Sequence, residues 1–116
     1  MPVSDSFRDF VLEQLEQTTR DIRLKRMFGG IGIYAGETFF AVIDDDIVYF
    51  KVDDETRPKF VKKKMPPFRP YKDERASMQY YQLPVSVLED TDALKAWVAD
   101  ALAVARRAAP KKRAKR

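Results

Sequence analysis

The sequence predicts one two-layer α+β domain, with helices mainly on one face of a five-stranded antiparallel sheet. Three observations predict this fold class. The spacing of apolar residues changes from three or four to two after residue 30, the segments between strands are too short for parallel crossovers, and a long apolar stripe near the carboxyl end returns to helical spacing. The predicted element order is α-β-β-β-α-β-β-α, and 116 residues are enough for one core but not for two.

The first predicted helix extends from Ser6 to Lys25. Ser4 or Ser6 can cap its amino end, because a serine hydroxyl accepts a hydrogen bond from the free amides of a first turn. Basic residues at positions 23, 25 and 26 would complement the negative carboxyl end, and Gly29 and Gly30 would end the helix. Its apolar stripe consists of Phe7, Phe10, Val11, Leu15, Thr18 and Ile22.

Five strands are predicted from short β-branched and aromatic runs that alternate with polar residues. The first three form a meander, because the short connections between them allow only antiparallel hairpins. A second helix is predicted after Asp53, which would cap it, and the last two strands form a hairpin around residues 73–75. The predicted strands are 31–34, 38–43, 47–52, 68–72 and 76–83.

The last predicted helix begins after Asp90 or Thr91 and packs on the sheet. If the other sheet face is uncovered, aromatic side chains lie on it, and such a patch is typical of a dimer interface. The helix stripe consists of Leu94, Trp97, Val98, Ala101, Leu102 and Ala105. The aromatic candidates are Phe39, Tyr49, Tyr71 and Tyr80, or their alternating neighbours.

Charge divides the chain into a mildly acidic body and a basic tail. The formal charge is +4, yet the last eleven residues contain seven Lys and Arg and no acid, so residues 1–105 carry a net charge of about −3. We expect a folded domain over 1–107 and a disordered tail over 108–116, because the tail has too few large apolar groups to offset its ordering entropy. The absence of Cys, of an export signal and of long apolar runs favours a cytoplasmic protein without a membrane span.

The residues predict no catalytic group, no cofactor and no metal site. Gly30 to Ala35 formally matches G-x-G-x-x-A, but that motif binds a dinucleotide only between a strand and a following helix, and here the order is reversed. The acidic runs at 44–46 and 53–55 are interpreted as a hairpin tip and a helix start, since neither has the ligand spacing of a calcium loop. The chain also has no His, the most common general base.

Two basic segments are candidates for contact with nucleic acid. Lys and Arg side chains neutralise phosphates without reading sequence, so the expected contact is weak, nonspecific and dependent on salt. A solubilising tail is the alternative interpretation of the carboxyl-terminal segment. The candidate residues are Arg69, Lys72 and Arg75 near the second hairpin, and Lys111, Lys112, Arg113, Lys115 and Arg116 in the tail.

Several short motifs, taken in order, resemble the N-terminal domain of the TfoX/Sxy family. The leading motif contains Met27, Phe28, Gly29, Gly30, Gly32 and Tyr34, and we interpret its glycines as a structural turn. Further matches are Tyr49 to Asp53, Arg57 to Phe60, Pro67-Phe68, Met78 to Pro84 and Leu94 to Trp97. The resemblance covers about residues 7 to 105 and implies a bacterial cytoplasmic protein with a fold of the secretion-chaperone class.

What the resemblance implies about function is regulation. Members related to TfoX and Sxy are thought to switch on DNA-uptake genes together with a cyclic-AMP-dependent activator, a role of longer, two-domain proteins. We expect this chain to be a stand-alone N-terminal domain, with the basic tail where a second domain would begin.

Three functional hypotheses follow. The first is a non-enzymatic regulatory module that binds a protein, such as a transcription activator, and forms a homodimer. The second is a direct nucleic-acid binder that uses the tail and the second hairpin. The third is a small-molecule or enzymatic domain that uses Tyr34 and Tyr80.

Overall fold

The computed structural model describes residues 3–27, 29–68 and 79–114, with side chains described as far as residue 108. It confirms the fold class: one antiparallel sheet of five strands, in the order β1-β2-β3-β4-β5, lies against helices. The elements are α1 (Asp5–Glu16), β1 (Ile22–Met27), β2 (Gly30–Ala35), β3 (Thr38–Asp44), β4 (Ile47–Lys51), α2 (Arg57–Lys62), β5 (Tyr80–Gln82), α3 (Val85–Leu88) and α4 (Thr91–Ala114).

The predicted extent of the first helix is wrong in its second half. Ser4 caps α1 as predicted, through a hydrogen bond from the Phe7 amide to its hydroxyl at 3.2 Å. The helix ends at Glu16, however, and Asp21 adopts a positive φ of 60° before the chain becomes a strand. The apolar positions of β1 therefore reflect strand alternation, which coincides over this short stretch with helical spacing.

The glycine-containing motif forms a hairpin and not a helix end. Met27 in β1 pairs with Gly30 in β2, and Gly29 provides the positive φ of 81° that their connection needs. Phe28 lies outside the described residues. Because β1 ends at Met27, the basic residues at 23, 25 and 26 lie along a strand and do not complement a helix dipole.

The two predicted hairpins of the central meander are confirmed. Gly36 turns the chain between β2 and β3 with a φ of 61°, and Asp45 and Asp46 turn it between β3 and β4 with φ of 54° and 58°. The Asp46 carboxylate also accepts a hydrogen bond from the Ser4 amide at 2.8 Å. The acidic hairpin tip is thus exposed but is tied to the start of α1.

One irregularity in the meander decides which side chains enter the core. The register between β2 and β3 shifts after Ile33, so that Phe40 has no direct partner and forms a β-bulge. Both Phe40 and its neighbour Ala41 are fully buried, although strict alternation would place them on opposite faces. The Phe40 ring packs edge-on against Phe50, with 5.7 Å between ring centres.

The second helix begins later than predicted. Asp53 accepts hydrogen bonds from the amides of Glu55 and Thr56, but this arrangement caps a turn, and α2 follows from Arg57 with Pro58 in its first turn. Beyond α2, the chain runs beside β5, where the Phe68 amide donates to the Tyr80 carbonyl at 2.9 Å. The other predicted strand of the second hairpin, 68–72, lies outside the described residues except for Phe68, and β5 covers only part of the predicted 76–83.

The last helix packs on the sheet as predicted, capped by Asp90, whose carboxylate accepts from the amides of Asp92 and Ala93. Trp97, a member of the predicted stripe, is half-buried and lies edge-on to Phe60 at 4.9 Å between ring centres. The buried part of the stripe comprises Leu94, Val98, Ala101, Leu102 and Ala105. The backbone helix continues to Ala114, and the division into a body (1–107) and a disordered tail (108–116) stays a prediction.

Two ion pairs join the last helix to the region around α2. Lys59 Nζ lies 2.6 Å from the Asp100 carboxylate and 4.1 Å from the centre of the Trp97 ring. Arg107 pairs with Asp53 at the turn before α2. These contacts are partly exposed, so solvent screens the charges and each pair contributes little to stability.

Candidate interaction surface

The sheet face opposite the helices carries a row of aromatic side chains. We call this face, with Tyr34, Phe39, Val42, Tyr49 and Tyr80, the outer face. Strand register places Tyr34 beside Phe39 and Val42 beside Tyr49, while the other face contributes the buried core that packs on α1 and α4. Of the two sets of residues that the sequence leaves open, the one with Phe39, Tyr49 and Tyr80 lies on this face, and Tyr71 lies outside the described residues.

The outer-face aromatic rings contact one another. Ring centres are 5.1 Å apart between Tyr34 and Phe39 and 6.1 Å apart between Phe39 and Tyr80. Lys51 Nζ lies 5.1 Å from the centre of the Tyr80 ring, a cation–π distance. All these side chains are half-buried, so the patch presents rigid apolar area together with hydroxyl groups, a combination common in protein interfaces.

Gly32 leaves room for neighbouring side chains on this face. A Cβ atom placed on Gly32 would lie 2.6 Å from Met27 Cε and 3.0 Å from Phe39 Cε1. Met27 thus fills the space above Gly32 and reaches toward the Phe39 ring. The motif residues Met27, Gly32 and Tyr34 consequently form one packed unit with Phe39, and the glycine serves close approach and not a positive φ.

Gly30 has a different neighbour. A Cβ atom there would lie 2.5 Å from the Ile43 carbonyl oxygen, so the glycine allows β2 and β3 to approach at the start of the sheet. Among the described glycines, Gly29 and Gly36 have a positive φ and Gly30 does not. The structural interpretation of the glycines is therefore supported, with the turn itself assigned to Gly29.

Two tyrosines of the outer face, Tyr49 and Tyr80, have raised pKa values. Burial, followed by the neighbouring Tyr34, raises the pKa of Tyr80 to about 12. Burial also raises the pKa of Tyr49, with a further contribution from the carboxylates of Asp44 and Asp45. A phenol whose pKa is raised is a weaker candidate for a base or nucleophile near pH 7.

The predicted nucleic-acid contacts fall where side chains are not described. Arg69, Lys72 and Arg75 lie outside the described residues, as do Lys115 and Arg116. Lys111, Lys112 and Arg113 lie on the backbone helix of α4, beyond the last described side chain. Their contact with nucleic acid stays a prediction.

Sequence reasoning missed three contributors to the outer face. The sequence predicts Met27 only as part of the glycine-containing turn motif, and it predicts Lys51 and Phe68 only as strand residues. In the structure, Phe68 packs on Tyr49 with 4.6 Å between ring centres. Cross-strand register decides all three contacts, and the sequence carries no direct signal for it. Within 3–27, 29–68 and 79–114, no three acidic side chains form a group that could hold a metal ion.

The fold and this surface define a small α+β domain whose antiparallel sheet carries helices on one face and half-buried aromatic residues on the other. The sequence pattern of the TfoX N-terminal domain matches residues 13–105, and the chain belongs to that family. No curated protein sequence matches the chain. Among the described residues, none of the helices combines the length and apolar composition needed to span a membrane.

Proposed function

We propose that this TfoX-type domain is a non-enzymatic regulatory module of the bacterial cytoplasm that acts by protein contact, with transcription or competence as the regulated process. The outer face carries the proposal, because Tyr34, Phe39 and Tyr80 form a continuous aromatic patch. The neutral, high-pKa hydroxyl of Tyr80 fits a binding surface better than a reaction centre. Family membership supports a TfoX-type role.

The proposed occupant of the outer face is a second copy of this chain. Five strands at about 4.8 Å spacing, three to seven residues long, cover roughly 20 Å by 20 Å, or about 400 Å² per copy. A standard stable interface needs about 800 Å² per partner. The homodimer is therefore expected to be weak and reversible, which suits a regulatory contact that must form and dissociate.

Val42 provides the sharpest test, because it is half-buried at the centre of the outer face, between Gly32 and Tyr49 in register. Its matched control is Val61, which is 54% exposed on α2. Sedimentation velocity of the full chain across a concentration series should show self-association that Val42→Lys abolishes and Val61→Lys leaves unchanged. Circular dichroism establishes that both variants fold.

Three outcomes would count against the proposal. A chain that is monomeric at every concentration would exclude the second copy as occupant, and unchanged association of Val42→Lys would place the contact elsewhere. For the regulatory role, a bacterial strain with the gene deleted is complemented with the wild-type chain or with Val42→Lys, and DNA-uptake and other transcripts are compared. Equal transcripts in all three strains would contradict regulation.

A further inference from the structure

Strand β1 forms one edge of the sheet among the described residues. It pairs with β2 on one side, and no described strand pairs with its other side. The Gly36 amide donates to the Asp21 carbonyl at 2.8 Å, which fixes the alternation of hydrogen bonds along the pair. Residues 23, 25 and 27 therefore bond to β2, and Ile22, Leu24 and Arg26 direct their N–H and C=O groups to the open side.

The side chains of β1 divide between the two sheet faces. Arg23 and Lys25 are exposed on the outer-face side, and Ile22 and Leu24 are half-buried on the core side, where they pack against the buried cluster. Arg23 forms an exposed ion pair with Asp21, whereas Lys25 has no ion-pair partner among the described residues. The open edge thus presents backbone hydrogen-bonding groups, with a row of cationic side chains on one side of them and a row of apolar side chains on the other.

These charges argue against a second copy at this edge. Antiparallel pairing of two β1 strands about Leu24 would place Arg23 of each copy opposite Lys25 of the other, and like charges on adjacent strands destabilise a sheet. Cationic side chains on an edge strand are also a known protection against edge-to-edge association. The same charges favour a partner strand with acidic side chains, so the edge discriminates between partners by their charge.

We propose that the open edge of β1 binds an extended peptide segment in which acidic residues alternate with apolar ones. The segment adds a sixth strand to the sheet. Its acidic side chains lie opposite Arg23 and Lys25, and its apolar side chains cover the exposed parts of Ile22 and Leu24. This site differs from the outer face in both surface and partner, so it does not depend on the homodimer.

A peptide is favoured over nucleic acid by two features of the edge. Phosphates can pair with Arg23 and Lys25, but they do not use the free amide and carbonyl groups of Ile22, Leu24 and Arg26 in a regular ladder. Ile22 and Leu24 also offer apolar area that a phosphate backbone leaves uncovered. Strand addition satisfies the cations, the backbone groups and the apolar row together.

The test uses the full chain and a fluorescent peptide of about eight residues with alternating Glu and Val. Anisotropy titrations should show binding that weakens with salt and is lost when Lys replaces Glu in the peptide. N-methylation of alternate peptide residues removes the N–H donors that face β1, and it should abolish binding; N-methylation in the other register should not. These peptide controls leave the protein unaltered, so misfolding cannot explain them.

Protein variants provide a second, independent test. The double variant Arg23→Glu/Lys25→Glu should weaken binding by about tenfold or more and should gain affinity for the Lys-Val peptide. The control Lys62→Glu/Lys63→Glu changes the same charge at exposed positions near α2 and should leave binding nearly unchanged. On binding, amide hydrogen exchange should slow at Leu24 and Arg26, whose N–H groups face the open side.

Two results would overturn the proposal. Equal affinity of both N-methylated peptides would show that side-chain charge alone holds the peptide and that no strand is added. Binding of a duplex oligonucleotide that displaces the peptide, and that is lost in the same charge-reversal variant, would assign the edge to nucleic acid. Neither result depends on the Val42→Lys experiment, so failure of this proposal and failure of the homodimer are distinguishable.

Discussion

Substitution of Gly30 by Ala tests the claim that this glycine serves strand approach. The added Cβ would lie 2.5 Å from the Ile43 carbonyl oxygen, whereas an ordinary carbon–oxygen contact needs about 3.3 Å. Relief requires a backbone shift of about 0.8 Å in β3, a central strand. Such overpacking lowers the free energy of unfolding by about 2 to 3 kcal/mol. The reduced entropy of the unfolded chain offsets about 0.5 to 1 kcal/mol of this loss.

The net expectation is a loss of about 1 to 2.5 kcal/mol in the free energy of unfolding, and thus a fall of roughly 4 to 10 °C in Tm. Urea unfolding followed by circular dichroism measures the loss, provided that the m-value is unchanged. The Gly32→Ala variant is the matched control. Its Cβ would meet the flexible end of Met27 at 2.6 Å, and a methionine side chain can move aside more easily than a backbone carbonyl.

Gly32→Ala should therefore cost less than Gly30→Ala, and its cost should shrink further in a Met27→Ala background, where the Met27 atoms are gone and the contact with Phe39 remains. Gly30→Ala should show no such rescue by Met27→Ala. A Gly30→Ala variant as stable as the wild type, or one less costly than Gly32→Ala, would refute the packing argument for the motif.

Three further predictions concern other parts of the molecule. Trp97→Ala should lower the free energy of unfolding by about 2 to 3 kcal/mol. This is less than full burial would imply, because the indole is half-buried against Phe60. An unchanged Tm would refute the packing of α4. The raised pKa of Tyr80 makes a contribution to stability that is fully present below about pH 10, the usual tyrosine pKa, and is lost as pH rises from 10 to 12. In alkaline unfolding, Tyr80→Phe should therefore lose less stability than the wild type. An identical pH profile of the two proteins would contradict the assignment. If the basic tail alone contacts duplex DNA, anisotropy should show salt-sensitive binding by the full chain and none by a version ending at Ala105; retained binding by the shortened chain would show that the folded body contributes.

The sequence predicts the elements whose signals are local. The helix α4 has a stripe of apolar residues and a capping carboxylate at Asp90, and the structure confirms both. The central hairpins have acidic or glycine turns, so their antiparallel pairing follows from loop length. Local chemistry is sufficient to identify these elements.

The misassigned β1 shows where local signals are insufficient. Leu15, Thr18 and Ile22 fit a helix, yet the positive φ of Asp21 redirects the chain, and pairing of β1 with β2 then fixes the strand. The β-bulge at Phe40 is equally hidden, because consecutive apolar residues do not reveal which one is doubled. Tertiary pairing decides both features, and it is absent from any short window of sequence.

The outer face combines residues that the sequence predicts to lie together with a side-chain contact that only the fold shows. Strand alternation groups Phe39, Tyr49 and Tyr80 as a candidate set, but it does not show that the Met27 side chain extends over Gly32 and fills the space there. This contact means that the glycine-containing motif shapes the surface proposed for protein binding. A change at Gly32 should therefore alter self-association as well as stability, because displacing Met27 rearranges the Phe39 ring at the centre of the patch. If Gly32→Ala remains folded and associates as the wild type does, the motif would be purely structural, and the contact surface would have to be found beyond the aromatic patch.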